Sequence, residues 1–234
     1  MREPKTELRS YLDKLMYRYL NIKSLRREIR IISSWKDKSN VSVVEAGAYF
    51  LALVNYSFWR IILVELAMLL SDSEQKSLLD WLKKAREHAS PLEPARFITN
   101  ASDDRHELIR PREYREIIDK QLAQIGSLQS TIDRVKGHRD KAIAHLDRIY
   151  FNNPERLYTD FPLGDADVED LFKLVESILA THYLYLFKAG VKLEVASVST
   201  VDTLLRYAEA FLKVRMDRDL IARGFRPVDY LEEA

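Results

Sequence analysis

The stretch SLQSTIDRVKGHRDKAIAHLDRIY, Ser127–Tyr150, decides how the rest of the chain is read. Written on a helix, Ile125, Leu128, Ile132, Val135, Arg139, Ala142, Leu146 and Ile149 recur at steps of three and four and make one apolar seam. Arg139 interrupts that seam. A guanidinium desolvated there is costly unless a carboxylate, a phosphate or a second subunit satisfies it, so the position asks for a partner. His145 follows six residues later, about 120° around the helix from Arg139, and flanks the seam rather than sharing its face. The two side chains meet over one substrate only if the helix bends or ends between them, or if a second copy brings its own pair alongside. Gly137 is where the sequence offers such a bend, because glycine weakens a helix interior by up to about 1 kcal/mol.

Outward from this stretch, the composition is that of a folded protein. Only 6 Gly and 7 Pro among 234 residues leave no linker, and 37 Lys and Arg against 36 acids leave a net charge of +1. That balance supplies no global field for capturing nucleic acid, so any such contact is local. With no cysteine there is no disulfide framework, thiol nucleophile or thiolate metal site, which fits a reducing cytoplasm. The start, MREPKTELRSYLDK, is charged throughout and lacks the apolar core of an export signal.

Taken in order, residues 6–35 read as a helix through Leu8, Leu12, Leu15, Tyr19 and Ile22. Residues 1–30 carry nine Lys or Arg against four acids, read as a solvated face or, functionally, as an RNA-facing rim. The apolar segment Val41–Leu70 is long enough to cross a bilayer. Arg60 and Glu65 argue against a membrane, since two ionisable groups are costly in a lone span. A central helix buried on most sides of a bundle is expected instead, with Glu65 a candidate partner for Arg139 unless it pairs with Arg60 or reaches water. Ser71-Asp72-Ser73-Glu74 reads as a capping box starting a helix over about 73–88.

Residues 89–110 read as a long surface loop, and His106 within it lacks further ligands at metal spacing. Pro111 opens a helix from about Arg112 to Asp147. A loop follows from Asn152 to Asp165, then a helix from Val168 to Lys188 capped by Asp165 or Asp167 and stopped by Gly190. A last helix runs from about Thr200 to Ala222, ended by Gly224 and Pro227. His88 and His182 read as structural. No sustained alternation marks a strand, and KLEVASVS at 192–199 is the only short candidate. The expected fold is an all-α bundle of long antiparallel helices in a single domain, 1–234. Its core spans about 41–190, with helices 6–35 and 200–222 packed on it.

Among chemical motifs there is no phosphate-cradling glycine loop, no GxSxG, no HExxH and no cysteine nucleophile. Arg139, Asp140 and His145 remain, a set suited to cleaving RNA without a metal or cofactor. A neutral imidazole takes the proton of a ribose 2′-hydroxyl, and a guanidinium holds the phosphate oxygens as charge builds. Asp140 orients a histidine of its own or a neighbouring chain, or holds Arg139. The departing 5′-oxygen needs a proton from His138 or from His145 of a second copy.

RDKAIAHLD, Arg139 to Asp147, resembles the Arg-polar-x(3–5)-His motif of the HEPN superfamily. These helical proteins include many metal-independent RNases of toxin–antitoxin and phage-defence systems. The likeness is to the abortive-infection, AbiU-type branch, in which an apolar helix ends in a Leu-Leu-Ser-Asp-like corner, here LAMLLSDSEQKSLLDWL at 66–82, before the motif helix. The resemblance implies a four-helix core with extra terminal helices, Arg139 and His145 as the catalytic pair, and Asp140 as the polar residue. It also implies an RNA substrate, a homodimer with its site at the interface, and an antitoxin protein as partner. In some members His-x-Tyr marks a site of AMP transfer; here Leu146-Asp147 follow the histidine, so the chain departs from that pattern. The alternative reading is a catalytically silent helical module that binds a protein or nucleotide, with Arg139 and His145 serving packing or ligand binding. A purely structural bundle is a third.

Overall fold

The computed structural model describes residues 4–37, 45, 47–72, 74–89, 95–100, 103–109, 111–144, 147–187, 191–194 and 200–223. The fold is all-α apart from one β-hairpin. The chain falls into two compact units, Met1–Ser24 with Trp59–Val195, and Leu25–Phe58 with Ala196–Ala234.

In the first unit, α1 (Pro4–Asp37) buries Leu8, Leu12, Leu15, Tyr19 and Ile22, the seam its spacing predicts. The second half of α2 (Ala48–Leu70) buries Ile62, Leu66, Leu69 and Leu70. α3 (Leu78–Glu87) presents Leu78, Trp81, Leu82 and Ala85 inward, and hydrogen bonds fasten it and its N-cap to α1. The Trp81 indole donates to the Leu8 carbonyl at 3.0 Å, and the Tyr11 hydroxyl to the Ser77 carbonyl at 2.8 Å. The helix expected from about 73 begins at Leu78 instead. Lys76 takes a left-handed φ of 77°, which no helix carries through, and Ser77 caps α3 by accepting from the Asp80 N–H at 3.1 Å.

Within the expected loop 89–110, β1 (Ala95–Asn100) and β2 (Asp103–Ile109) pair antiparallel from Ala95↔Ile109 to Asn100↔Asp103, with an irregularity between Ile98 and Asn100. Phe97, Ile98 and Thr99 favour a strand, but the charged run DDRHELI hides its partner from a reading by alternation. The expected single helix Arg112–Asp147 is broken twice. α4 (Pro111–Ser127) ends in a tight turn, Leu128 N–H to the Ile125 carbonyl at 3.1 Å, before α5 (Gln129–His138) and a π-helical turn, Arg139–Ala144.

The expected loop 152–165 holds α7 (Glu155–Asp160), preceded by α6 (Arg148–Asn152). α8 (Asp165–Phe187) buries Leu171, Val175, Ile178, Leu179 and Leu186, and Asp167 caps its start by accepting from the Gly164 N–H at 2.8 Å. His182 is fully buried on α8. Its Nε2–H donates to Gln121 at 2.6 Å, and its Nδ1 accepts from the Tyr114 hydroxyl at 2.9 Å. Burial holds its pKa down at about 3, so it is a neutral structural residue, as expected.

In the second unit, Ile32, Trp35, Leu51 and Leu205 form a small core. α9 (Thr200–Ala222) is tied to α1 there: the Trp35 indole donates to Asp202 at 2.9 Å, and the Val201 N–H to Glu28 at 3.1 Å. The first half of α2 departs from the expectation of a helix buried on most sides, since Tyr49, Phe50, Leu53 and Tyr56 are exposed. α2 is the one helix among the described residues long and apolar enough to cross a membrane. Residues 192–194, the described part of the strand candidate 192–199, take no regular structure; 195–199, Gly190, Gly224 and Pro227 lie outside the described residues.

Candidate active site around Arg139

α5 approaches the site on its apolar side, with Ile132 and Val135 buried. At Gly137 the absent Cβ is a matter of space. The Phe161 ring lies where a Cβ would stand, so the residue serves close packing rather than the expected bend. His138 is buried beside it and its Nε2–H donates to the Phe161 carbonyl at 2.8 Å. Burial lowers its pKa, against the opposing pull of that hydrogen bond. The histidine offered as a source of the leaving group's proton is thus buried, with its Nε2–H already engaged.

The helix changes its pitch at the next residue. The Arg139 N–H is shared between the Lys136 and Val135 carbonyls as the chain widens into the π turn, a local irregularity often found at functional sites. After the turn, the Asp147 N–H returns to the Lys141 carbonyl at 3.2 Å. Asp147 then caps α6 by accepting from the Ile149 N–H at 3.0 Å. That hydrogen bond and Lys141, 3.2 Å away, hold the Asp147 carboxyl below its ordinary range.

Arg139 has the partners its place in the seam demanded. Its Nε donates to Asp140 at 2.6 Å and its Nη1 to Glu74 at 2.9 Å, with the side chain only 14% exposed. Asp140 first, then Glu74, raise its pKa against the opposing effect of burial, so it stays charged. Glu65 is not the partner: it accepts from the Arg18 Nε at 2.7 Å. The corner 71–77 contributes a second carboxylate, Asp72, to Lys136 at 3.3 Å. Asp72 and Glu74 thus bind cations three residues apart on one helix.

The structure brings Arg139 and Asp140 together and adds Glu74, which the sequence reading had assigned to a helix cap. His145, together with Leu146, lies outside the described residues. Ile149, the last residue of the expected seam, belongs to a separate helix and is exposed. Among the described residues no three His, Asp or Glu side chains converge as metal ligands.

The helical body and the Arg139-to-His145 motif define a domain of the HEPN class. The family HEPN_AbiU2, described as AbiU2, matches residues 6–210, and the chain belongs to it. No curated protein and no solved structure matches the chain.

Proposed function

We propose that this chain is a metal-independent endoribonuclease, a toxin or phage-defence effector that cuts RNA in the cytoplasm as a homodimer. The observation that carries the reading is Arg139, a shielded cation held by two carboxylates at the head of the HEPN motif. A guanidinium so fixed keeps its orientation while charge builds on a phosphate, which is what electrostatic stabilisation of a transition state requires.

In this reading the neutral His145 imidazole takes the proton of the ribose 2′-hydroxyl. The 2′-oxygen attacks the adjacent phosphorus, and Arg139 stabilises the charge on the non-bridging oxygens. The bond to the 5′-oxygen breaks, leaving a 2′,3′-cyclic phosphate and a 5′-hydroxyl. His138 being engaged with Phe161, the leaving oxygen takes its proton from His145 of a second copy or from water. Asp140 and Glu74 position Arg139 and do not touch the reacting atoms. The toxin role carries an antitoxin protein as partner.

The test is incubation of the purified chain with RNA in EDTA, beside Arg139→Ala and His145→Ala. Cleavage leaving cyclic phosphate ends is expected from the parent, and both variants should lose at least about 100-fold in rate while staying folded. A folded, dimeric parent that leaves RNA intact overturns the reading in favour of a binding module, with Arg139 as ligand or interface anchor.

A further inference from the structure

In the second unit, α9 is apolar on more than the face it buries. Leu205 belongs to the core with Ile32, Trp35 and Leu51, and Val201, Ala208 and Leu212 pack against it. Leu204, Tyr207, Phe211 and Val214, spaced three, four and three residues apart, stay 53–72% exposed. At about 100° per residue these four fall within about 80° of arc, so the helix itself sets them on one face, about 110° round from the buried one. The first half of α2, which enters the same core through Leu51, exposes Tyr49, Phe50, Leu53 and Tyr56 and carries no charge from Ala48 to Phe58.

Charge narrows what covers this face. On the polar side of α9, Arg206 is paired with Asp202 at 2.8 Å and Lys213 with Glu209 at 3.3 Å. The stripe runs between Thr203 and Ala210 on one edge and Ala208 and Arg215 on the other. A nucleic acid needs a row of cations, and a helix lying on a membrane takes a broad apolar arc rimmed by Lys and Arg. A narrow seam of three-four spacing fits another helix instead, and a copy of the same seam brings no like charge onto it. Arg215 and Arg218, toward the C-terminal end, set the direction. In a parallel pair each would meet its own equivalent. In an antiparallel pair centred between Tyr207 and Phe211 the equivalents stand about 18 and 27 Å apart along the axis, beyond the roughly 8–10 Å screening length. The exposed surface is also large. At 58–83% exposure and roughly 150–250 Å² per aromatic side chain, the rings of Tyr49, Phe50, Tyr56, Tyr207 and Phe211 present about 500–850 Å² per chain, the scale of one partner's share of a stable interface, about 800 Å².

We propose that α9 pairs antiparallel with α9 of a second copy about a two-fold axis between Tyr207 and Phe211. Tyr207 of each copy then meets Phe211 of the other, an aromatic contact made twice, and Leu204 meets Val214. The surface lies in the unit that does not hold Arg139. It goes beyond the nuclease reading, which asks for two copies and names no surface in this unit.

The chain has no cysteine, so introduced thiols report the pairing without background. Full-length Leu204→Cys and Val214→Cys chains, carrying tags of different size, are mixed and oxidised. The expected product is the mixed disulfide, because antiparallel pairing brings 204 to 214 and holds 204 about 15 Å along the axis from its own equivalent, past the roughly 7 Å limit for a bridge. Disulfides within each tagged species and none between them overturn the proposal. In sedimentation runs the parent should dimerise, and Tyr207→Glu and Phe211→Glu, at exposed positions that leave the circular dichroism unchanged, should each weaken the dimer at least about 30-fold. A monomeric parent, or a dimer that both variants leave intact, overturns the proposal. So does flotation of the parent with phosphatidylglycerol vesicles that both variants lose, which assigns the face to lipid.

Neither measurement involves RNA, which separates this interface from the nuclease. A parent that dimerises through α9 but cuts nothing keeps the interface and removes the nuclease. A parent that cuts, with its dimer intact in both glutamate variants, keeps the nuclease and removes the interface.

Discussion

Replacing Glu74 by Gln keeps the shape of the side chain and removes the charge that faces Arg139. The two atoms are 2.9 Å apart, with Arg139 14% and Glu74 35% exposed. A fully exposed pair contributes at most about 1 kcal/mol, and a hydrogen bond to a charged group shielded from water about 1.5–3 kcal/mol. At these exposures the interaction falls between the two, about 1–2 kcal/mol. Asp140 keeps its hold on Nε in the variant, so Arg139 is left singly paired rather than orphaned. The loss therefore stays below the roughly 3–5 kcal/mol of a stranded buried ion.

A double-mutant cycle of Glu74→Gln and Arg139→Gln isolates the term. Urea unfolding followed by Trp81 fluorescence, with Trp35 and Trp59 replaced by Phe in every arm, reports the unit that holds the pair. The expected coupling is about 1–2 kcal/mol, and more than half should survive roughly 1 M salt, because shielded pairs are screened less. A coupling within the additivity error of about 0.3–0.5 kcal/mol would show that Glu74 does not hold Arg139 in solution.

Two further outcomes test the packing around the site. The folded pKa of His182, about 3, lies below its unfolded value near 6.5, so the stability it contributes is complete above pH 6.5 and is lost as pH falls toward 3. Between about pH 7.5 and pH 5 the loss is roughly 2 kcal/mol in urea unfolding; His182→Gln should flatten that slope, and an unchanged slope assigns it elsewhere. Gly137→Ala should destabilise by about 1–3 kcal/mol, because its Cβ meets the Phe161 ring, despite alanine's better helix propensity. In a Phe161→Ala background the same change should become neutral or stabilising, and a penalty that persists there contradicts the packing account.

What was legible in the sequence was periodic or local. The seam of α1 repeats every three to four residues and folds as read, because amphipathic burial depends on spacing alone. That Arg139 needs a counter-charge was legible too, from one cation in an apolar seam. Which carboxylate supplies it was not. Glu65 and Glu74 lie nine residues apart, and their roles turn on the path of the 71–77 corner, where Lys76 takes its left-handed conformation and hands the cap to Ser77. The π turn leaves no mark on a helical wheel, where Val135, Arg139 and Ala142 continue the spacing without a break. Strand β2 stayed hidden because its charged residues carry no alternation.

The same ion pairs bear on how RNA would be held. Lys136 is paired with Asp72, Lys141 with Asp147, and Arg139 with both Asp140 and Glu74. These three cations are thus already balanced by carboxylates of this chain, and the chain as a whole carries only +1. Counterion release, the usual source of affinity for nucleic acid, scales with the number of phosphates neutralised, and a paired cation contributes little to it. Affinity then has to come from contacts that do not depend on net charge.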